Sequence, residues 1–353
     1  MNRNDILQWL QEEDGRRLEE LWQWADDVRQ KNVGDEVHLR GLIEISNYCI
    51  RQCGYCGLRS DNHTLDRYRM NEEEIMDCVG EAVRYGYGTV VLQSGEDYGI
   101  KTDWLSNIVR RIKIQTKLAV TLSLGERPDR DLETWRRAGA DRYLLRFETS
   151  DLDLYLFIHP SLPDRLSDRL AILQTLKRLG YETGSGVMIG IPGQTYQGLA
   201  NDIDLFHRLD LDMIGVGPYI AHPETPLGFK ESKWTLLEKD QVPNTEEMTY
   251  KVIALSRIIC PEANIPSTTA LATINVERGR ELGLMRGANV VMPNLTPTQY
   301  RAKYEIYPAK VCIKETSQDC YACLPHRIQS IGRKIGTDRG DRIHHHAPQS
   351  IHP

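Results

Sequence analysis

Apolar and polar positions change period along this chain in a regular way. Eight short runs rich in β-branched and aromatic residues recur between residues 37 and 294: VHLRGLIEI, TVVLQ, LAVTLSL, DRYLLRFE, TGSGVMIGI, DMIGVGPYI, ANIPSTTAL and ANVVMPN. Stretches of helical period separate most of them, over 71–86, 102–114, 130–139, 165–179, 196–208, 246–259 and 276–284. A short run followed by a helix, repeated, is the signature of parallel βα units. Eight such units predict an α/β chain closed into a (βα)8 TIM-type barrel over 37–298, with a doubly wound open sheet as the alternative, since periodicity does not prove closure. Residues 1–36 alternate charge and apolar character at helical spacing and break at Asp14-Gly15, which predicts an N-terminal cap of two helices. A C-terminal extension over 299–335 follows the eighth run. The last stretch, 336–353, is polar and unpatterned; with His344, His345 and His346 it is expected to be a flexible tail.

Charge and hydropathy narrow the function classes. Lys and Arg number 44 against 50 Asp and Glu, a net charge of −6 without long basic blocks, so nothing electrostatic points to a nucleic acid or an anionic membrane as partner. No apolar stretch approaches the roughly 18 residues of a membrane-spanning helix, and the charged N-terminus lacks the apolar run of a secretory signal. A cytoplasmic, reducing compartment is therefore expected, where clustered cysteines serve as metal ligands or redox groups more often than as disulfides.

Three of the eight cysteines, Cys49, Cys53 and Cys56, form CX3CX2C directly after the first predicted strand, at the rim where barrel loops gather. Three thiolates on one loop can hold three corners of a cubane cluster and leave one iron without a protein ligand; Gly54 and Gly57 leave room for the backbone to wrap round it. The same letters admit a zinc site completed by His63, a disulfide-exchange pair of Cys53 with Cys56, or inert core thiols. Plain packing suits Cys78 and Cys260, which sit in helical patterns among apolar residues.

Later strand ends carry further chemistry. Ser94-Gly95-Glu96 closes the second run, as a ligand-binding turn or an ordinary strand-to-helix turn. Strand alternation puts Arg146 and Glu148 on one face and Phe147 on the other, and two buried opposite charges either pair or grip a polar ligand. Gly184, Gly186, Gly190 and Gly193 let the fifth strand approach a flat ligand before Thr195 caps the next helix, or simply make a Gly-rich strand. Hydroxyls at Thr268, Thr269, Tyr304 and Tyr307 can orient a small anion, or cap and pack.

The cysteine spacing, with Tyr55 inside it, resembles the radical S-adenosylmethionine (SAM) superfamily, whose members use the amino and carboxylate groups of SAM to complete the fourth iron. The stretches VGDEVHLR, CGYCGLRSDN, RYRM, VLQSGED, VTLSLGE, GADRYLLR, LGYETGSG, GIPGQT, HPETPL, NIPSTTA and MPN, from about residue 31 to about 335, resemble one branch of it, the HydE maturases of [FeFe]-hydrogenase. Biotin synthases and methylornithine synthases match less closely. The resemblance implies a [4Fe-4S] cluster at Cys49, Cys53 and Cys56, with Tyr55 near the adenine. It implies a SAM site lined by Gln93, Ser94, Thr121, Ser123, Glu148, Arg169 and Met188, with Glu148 on the ribose and Arg169 on the carboxylate. Arg146, Thr268, Thr269, Tyr304 and Tyr307 match positions round a substrate and anion cavity. Where the family often has His between the Arg and Glu of the fourth strand, this chain has Phe147. A second trio, Cys312, Cys320 and Cys323 in CX7CX2C, resembles an accessory iron–sulfur cluster of some members that is not needed for the chemistry; a surface zinc or unliganded thiols fit the spacing too.

The implied reaction is reductive cleavage of SAM to a 5′-deoxyadenosyl radical. The implied substrate is a small organometallic complex, Fe(CO)2(CN)(cysteine), on the way to the two-iron subcluster of the hydrogenase, with maturation partner proteins and an electron donor. Two other classes stay open: a radical enzyme with an amino-acid-derived substrate, of the methylornithine synthase or biotin synthase kind, and a non-enzymatic iron–sulfur or zinc carrier.

Overall fold

Strand β1 (Glu36–Ser46) is the longest among the described residues and buried almost throughout, and the rest of the sheet is laid out from it. The computed structural model describes residues 1–163, 166–228, 240–311, 313 and 315–343. In parallel order β1 pairs with β2 (Thr89–Ser94), then β3 (Ala119–Ser123), β4 (Arg142–Leu144), β5 (Glu182–Ser185) and, past β6 (Met188–Ile189), β7 (Met213–Ile214). The circle closes through single parallel bridges, Met213 to Asn264 and Pro266 to Val290, and through β9 (Val290–Val291) on β1. Closure, which periodicity left open, is thus met: the ring is a (βα)8 barrel. The fifth and sixth positions continue after a break as β6 and β8 (Gly217–Pro218), which pair with each other.

The seventh position departs from the pattern. ANIPSTTAL reads as one strand, yet only Asn264 and Pro266 make bridges and the helix Thr269–Ile274 begins within it. Pro266 has no N–H to give a ladder, and the Thr268 hydroxyl accepts the Leu271 N–H, which starts a helix instead. The helix Leu152–Ile158 has no counterpart in the pattern. Its Leu152, Leu156 and Phe157 are 67%, 39% and 37% exposed, so the segment lacks the polar face that marks an amphipathic helix.

The N-terminal helices Arg3–Leu10 and Gly15–Val33 are separated at Asp14, whose carboxylate accepts the Arg16 and Arg17 N–H groups. They pack on the helices Tyr196–Arg208 and Glu246–Ile259. Among the described residues no helix is long and apolar enough to cross a membrane.

A flexible tail from residue 336 is not what the structure shows as far as Arg342. Strand β10 (Lys334–Gly336) pairs with the start of β1, and 338–342 then run beneath the first residues of the barrel strands. The Arg339 carbonyl accepts from Thr89 (2.8 Å) and Arg142 (3.0 Å), and the Gly340 carbonyl from Arg40 (2.9 Å) and Asn264 (3.1 Å). Arg142 also pairs with Glu182 and Asp341, and Arg342 with Asp210, Asp212 and Glu262. Hydropathy could not announce this, because the polar residues of the segment are matched by polar groups far away in the sequence, Arg142 and Asp212 among them buried. His344–His346 lie outside the described residues.

Burial, reinforced by the Arg142 charge, pulls the Arg40 guanidinium down to about 9. Ending the chain after Gly336 leaves Arg40 with only the Met213 sulfur and strips Arg142 of two partners. An uncompensated buried cation costs about 3–5 kcal/mol, so the truncated chain is expected to unfold at clearly lower urea; an unchanged midpoint would refute the role given to this segment.

Candidate active site

The loop after β1 folds back on itself. Asn47 starts it by donating to the Asp66 and Lys303 carbonyls and accepting the Tyr68 N–H, and Asn62 near its end donates to the Gly57 carbonyl. Gly57 needs its missing side chain: a Cβ there would stand 2.2 Å from the Glu305 carbonyl oxygen and 2.5 Å from the His222 ring. Gly54 does not, since its nearest neighbour would be Leu227 at an ordinary 3.4 Å; its N–H instead donates to the Ile158 carbonyl at 2.7 Å. On the other side Gly95 lets β2 end against the loop, where a Cβ would meet the Tyr48 carbonyl at 2.3 Å and the Cys49 side chain at 2.8 Å.

Cys53 is buried and Cys49 and Cys56 partly so. Burial raises all three thiols; the neighbouring sulfurs add to it for Cys53, which lies well above its usual value, and for Cys56, which reaches about 12. Three thiolates cannot share this dry loop without a cationic group to hold them. No disulfide joins Cys53 to Cys56.

Beside the loop the barrel opens into a cavity of about 340 Å3. Glu148 is its most strained member. It sits at φ +66°, a left-handed conformation rarely taken by a non-glycine residue, with its N–H on the Gly186 carbonyl. Arg146 donates to its Oε1 at 3.1 Å, while its Oε2, though buried, has no partner. Phe147 turns away against Phe206, so the two charges do share a side. They reach it from an irregular segment rather than by strand alternation, because β4 stops at Leu144.

A second cleft, of about 510 Å3, lies at the opposite end of the barrel beside Cys260 and Arg342, away from the rim loops.

A sequence profile described as the Radical SAM superfamily matches residues 43–206. The [FeFe] hydrogenase maturase subunit HydE of Thermotoga maritima is 49% identical over 325 residues, which cover 92% of this chain and 89% of that one. The chain belongs to the HydE family of radical SAM proteins. The 3-methylornithine synthase of Methanosarcina acetivorans is more distant, 29% identical over 82% of this chain and 78% of its own. The solved structure of methylornithine synthase (PylB) superposes with a TM-score of 0.78 at 24% identity, covering 95% of this chain and 94% of that one. That of the [FeFe]-hydrogenase maturase HydG gives 0.68 at 18%, covering 84% and 65%, so both attest the fold.

A HydE-family chain is a radical SAM enzyme, and its family carries a [4Fe-4S] cluster and SAM. The residues present fit both groups: three desolvated thiols on one loop, and a carboxylate oxygen left open in the cavity beside it. Tyr55, Cys56, Gln93, Ser94, Ser123, Glu148, Arg169 and Met188 line that cavity, as do Arg146, Thr268, Thr269 and Tyr307. Two expected residues stand back from it. Tyr304 is buried with its hydroxyl accepting from Gln93, and Thr121 is buried with a hydroxyl that has no partner. Arg169 is already engaged, by Glu126 (3.0 Å), the Arg146 carbonyl (2.6 Å) and His159. Of the second trio, Cys320 is buried and Cys323 exposed on the helix Ser317–Ser330; Cys312 lies outside the described residues.

Several groups of this HydE-family site escaped sequence reasoning. Arg51, inside the CX3C, pairs with Glu96 (2.8 Å) and Glu126 (2.7 Å), and Arg169 completes an alternating chain of charges behind the cysteines. Glu96 is thereby spent on Arg51 and the Glu126 N–H, and does not line the cavity. Burial keeps its carboxyl raised despite Arg51. Lys310, from the C-terminal extension, reaches the cavity floor and pairs with buried Glu44, itself held by Asn294. The available signal for Glu126 was position: it lies three residues past the end of β3, on the rim where barrel enzymes keep their working groups, as Glu96 does past β2.

Proposed function

We propose that this chain acts as a radical SAM maturase in the assembly of the two-iron subcluster of [FeFe]-hydrogenase, on a small iron complex of the type Fe(CO)2(CN)(cysteine). The observation that carries this reading is the 49% identity to HydE across nearly the whole chain, joined to a cysteine loop whose Tyr55 and Cys56 border the barrel cavity. Cys49, Cys53 and Cys56 hold the cluster, which when bound supplies the electron that splits SAM. Glu148 offers its open oxygen to the SAM ribose, Tyr55 and Met188 flank the nucleoside, and Gln93, Ser94 and Ser123 border it. Arg169, anchored by Glu126, presents its charge to the SAM carboxylate. Deeper in, Arg146, Thr268, Thr269 and Tyr307 surround the substrate, and the barrel wall excludes water from it. Maturation proteins and a one-electron donor are its partners, in a reducing cytoplasmic setting.

Two measurements test this. Anaerobically reconstituted protein with dithionite should release 5′-deoxyadenosine from SAM, and its gene should restore hydrogenase activity to a strain lacking its own HydE. Cleavage without restoration would move the chain to another substrate.

We assign the second cysteine trio to an accessory iron–sulfur cluster outside the chemistry. Cys320 and Cys323 lie on the extension helix and neither lines the cavity. Replacing Cys320 with Ala is therefore expected to lower total iron yet leave SAM cleavage within about twofold of the parent; its loss would exchange the roles of the two sites.

A further inference from the structure

The segment 67–70 runs antiparallel along the end of β1, fixed by the bridge of Arg69 to Ser46 and by the Met70 N–H on the Ile45 carbonyl (2.9 Å). Tyr68 in its middle donates to the Glu44 carbonyl and stacks on Tyr300 at 4.6 Å. Arg67 therefore leaves a rigid base and points back into the cysteine loop. There one guanidinium donates to four backbone carbonyls: Asn47 at 2.6 Å and Leu58 at 2.8 Å through Nη1, Arg59 at 2.7 Å and Asn62 at 3.1 Å through Nη2. These carbonyls bracket Cys49, Cys53 and Cys56 on both sides. Lysine carries three donors on a flexible stem and cannot reproduce the planar fork.

The charge matters as well as the fork. Among the described residues no carboxylate pairs with Arg67, since the adjacent Asp66 goes to Lys303. Arg51 and Arg59, the cations within the loop itself, are matched by Glu96 and Glu126 and by Asp61. The groups that face Arg67 electrostatically are the Cys49 and Cys56 sulfurs and the Tyr48 phenol. A cluster on three thiolates is anionic and gains one more negative charge on reduction, so an unmatched cation beside it favours the reduced form.

We propose that Arg67 is the positioning residue of the cluster loop: its fork clamps the loop into one shape, and its unmatched charge raises the one-electron reduction potential of the bound cluster. This rests on the cluster assignment to Cys49, Cys53 and Cys56, which the iron content and EPR signal of the parent protein test separately.

The experiment compares the parent, R67K and R67Q as full chains reconstituted anaerobically, with folding checked by circular dichroism. Iron and sulfide per chain are measured after gel filtration, and the cluster is titrated with dithionite under EPR without SAM. R67K keeps the charge and loses the fork, so it should lose at least half of its cluster on filtration while the remainder titrates at the parent's potential. R67Q should lose as much, and what remains should titrate at a more negative potential. Full retention of iron by both variants overturns the clamp. A potential that is the same in R67Q as in the parent, or shifted equally in R67K and R67Q, overturns the role of the charge.

Discussion

Cys53→Ala is expected to abolish SAM cleavage, to the level of dithionite and SAM without protein. Cys53 is the most enclosed of the three thiols, with its neighbour Gly54 tied to Ile158 and Tyr55 facing the cavity, so no nearby donor can take its place. With two sulfurs left, the loop offers two corners to a cluster that needs three, and the loss falls on the group that delivers the electron. Cys49→Ala and Cys56→Ala should behave alike. Cys78→Ala is the control: Cys78 is buried on the helix Glu72–Arg84, and its loss should cost a little stability and no chemistry. Iron per chain and 5′-deoxyadenosine release decide the matter, and cleavage retained by Cys53→Ala would remove the cluster from this loop.

Glu148→Gln should raise the KM for SAM about tenfold to a hundredfold, with iron content unchanged, in keeping with the roughly 1.5–3 kcal/mol of a hydrogen bond to a charged group. The side chain keeps its shape but loses the charge that Arg146 and the ribose hydroxyls address. Because Arg146 already holds Oε1, the buried and unpartnered Oε2 is the atom left for a ligand. A residue held at φ +66° for packing alone would give a variant of lower stability and normal KM. That result would take Glu148 out of the SAM site.

How far such groups could be foreseen depends on the kind of order that carries them. β1, β2 and β3 are legible because each is five or more residues long and dense in Val, Leu and Ile. The later strands fade where glycine and proline enter: β5 to β8 are two to four residues each, and the seventh position shrinks to single bridges. The cysteine trio is plain because its spacing is local. The pairing of Arg51, Glu126 and Arg169 is not, because each is one charge on a separate segment and only the closed ring brings them together. The pairing of Arg146 with Glu148 is readable from two letters, but not the backbone twist that leaves one oxygen open. Arg67 hides for a related reason: its partners are main-chain carbonyls, which no side-chain pattern records.

The segment 338–342 also sets a timetable for biogenesis. Arg40 finds its acceptor on Gly340, 300 residues downstream. At about 5–20 residues per second, a ribosome needs roughly 15–60 seconds to cover that gap. For all of that interval the nascent barrel lacks its floor, with the Arg40 cation, and for the last two thirds of it the Arg142 cation, still waiting for it. Newly made chains therefore complete the barrel only after nearly all of it has been translated, which makes this interval the period of greatest exposure to proteases and to misassembly.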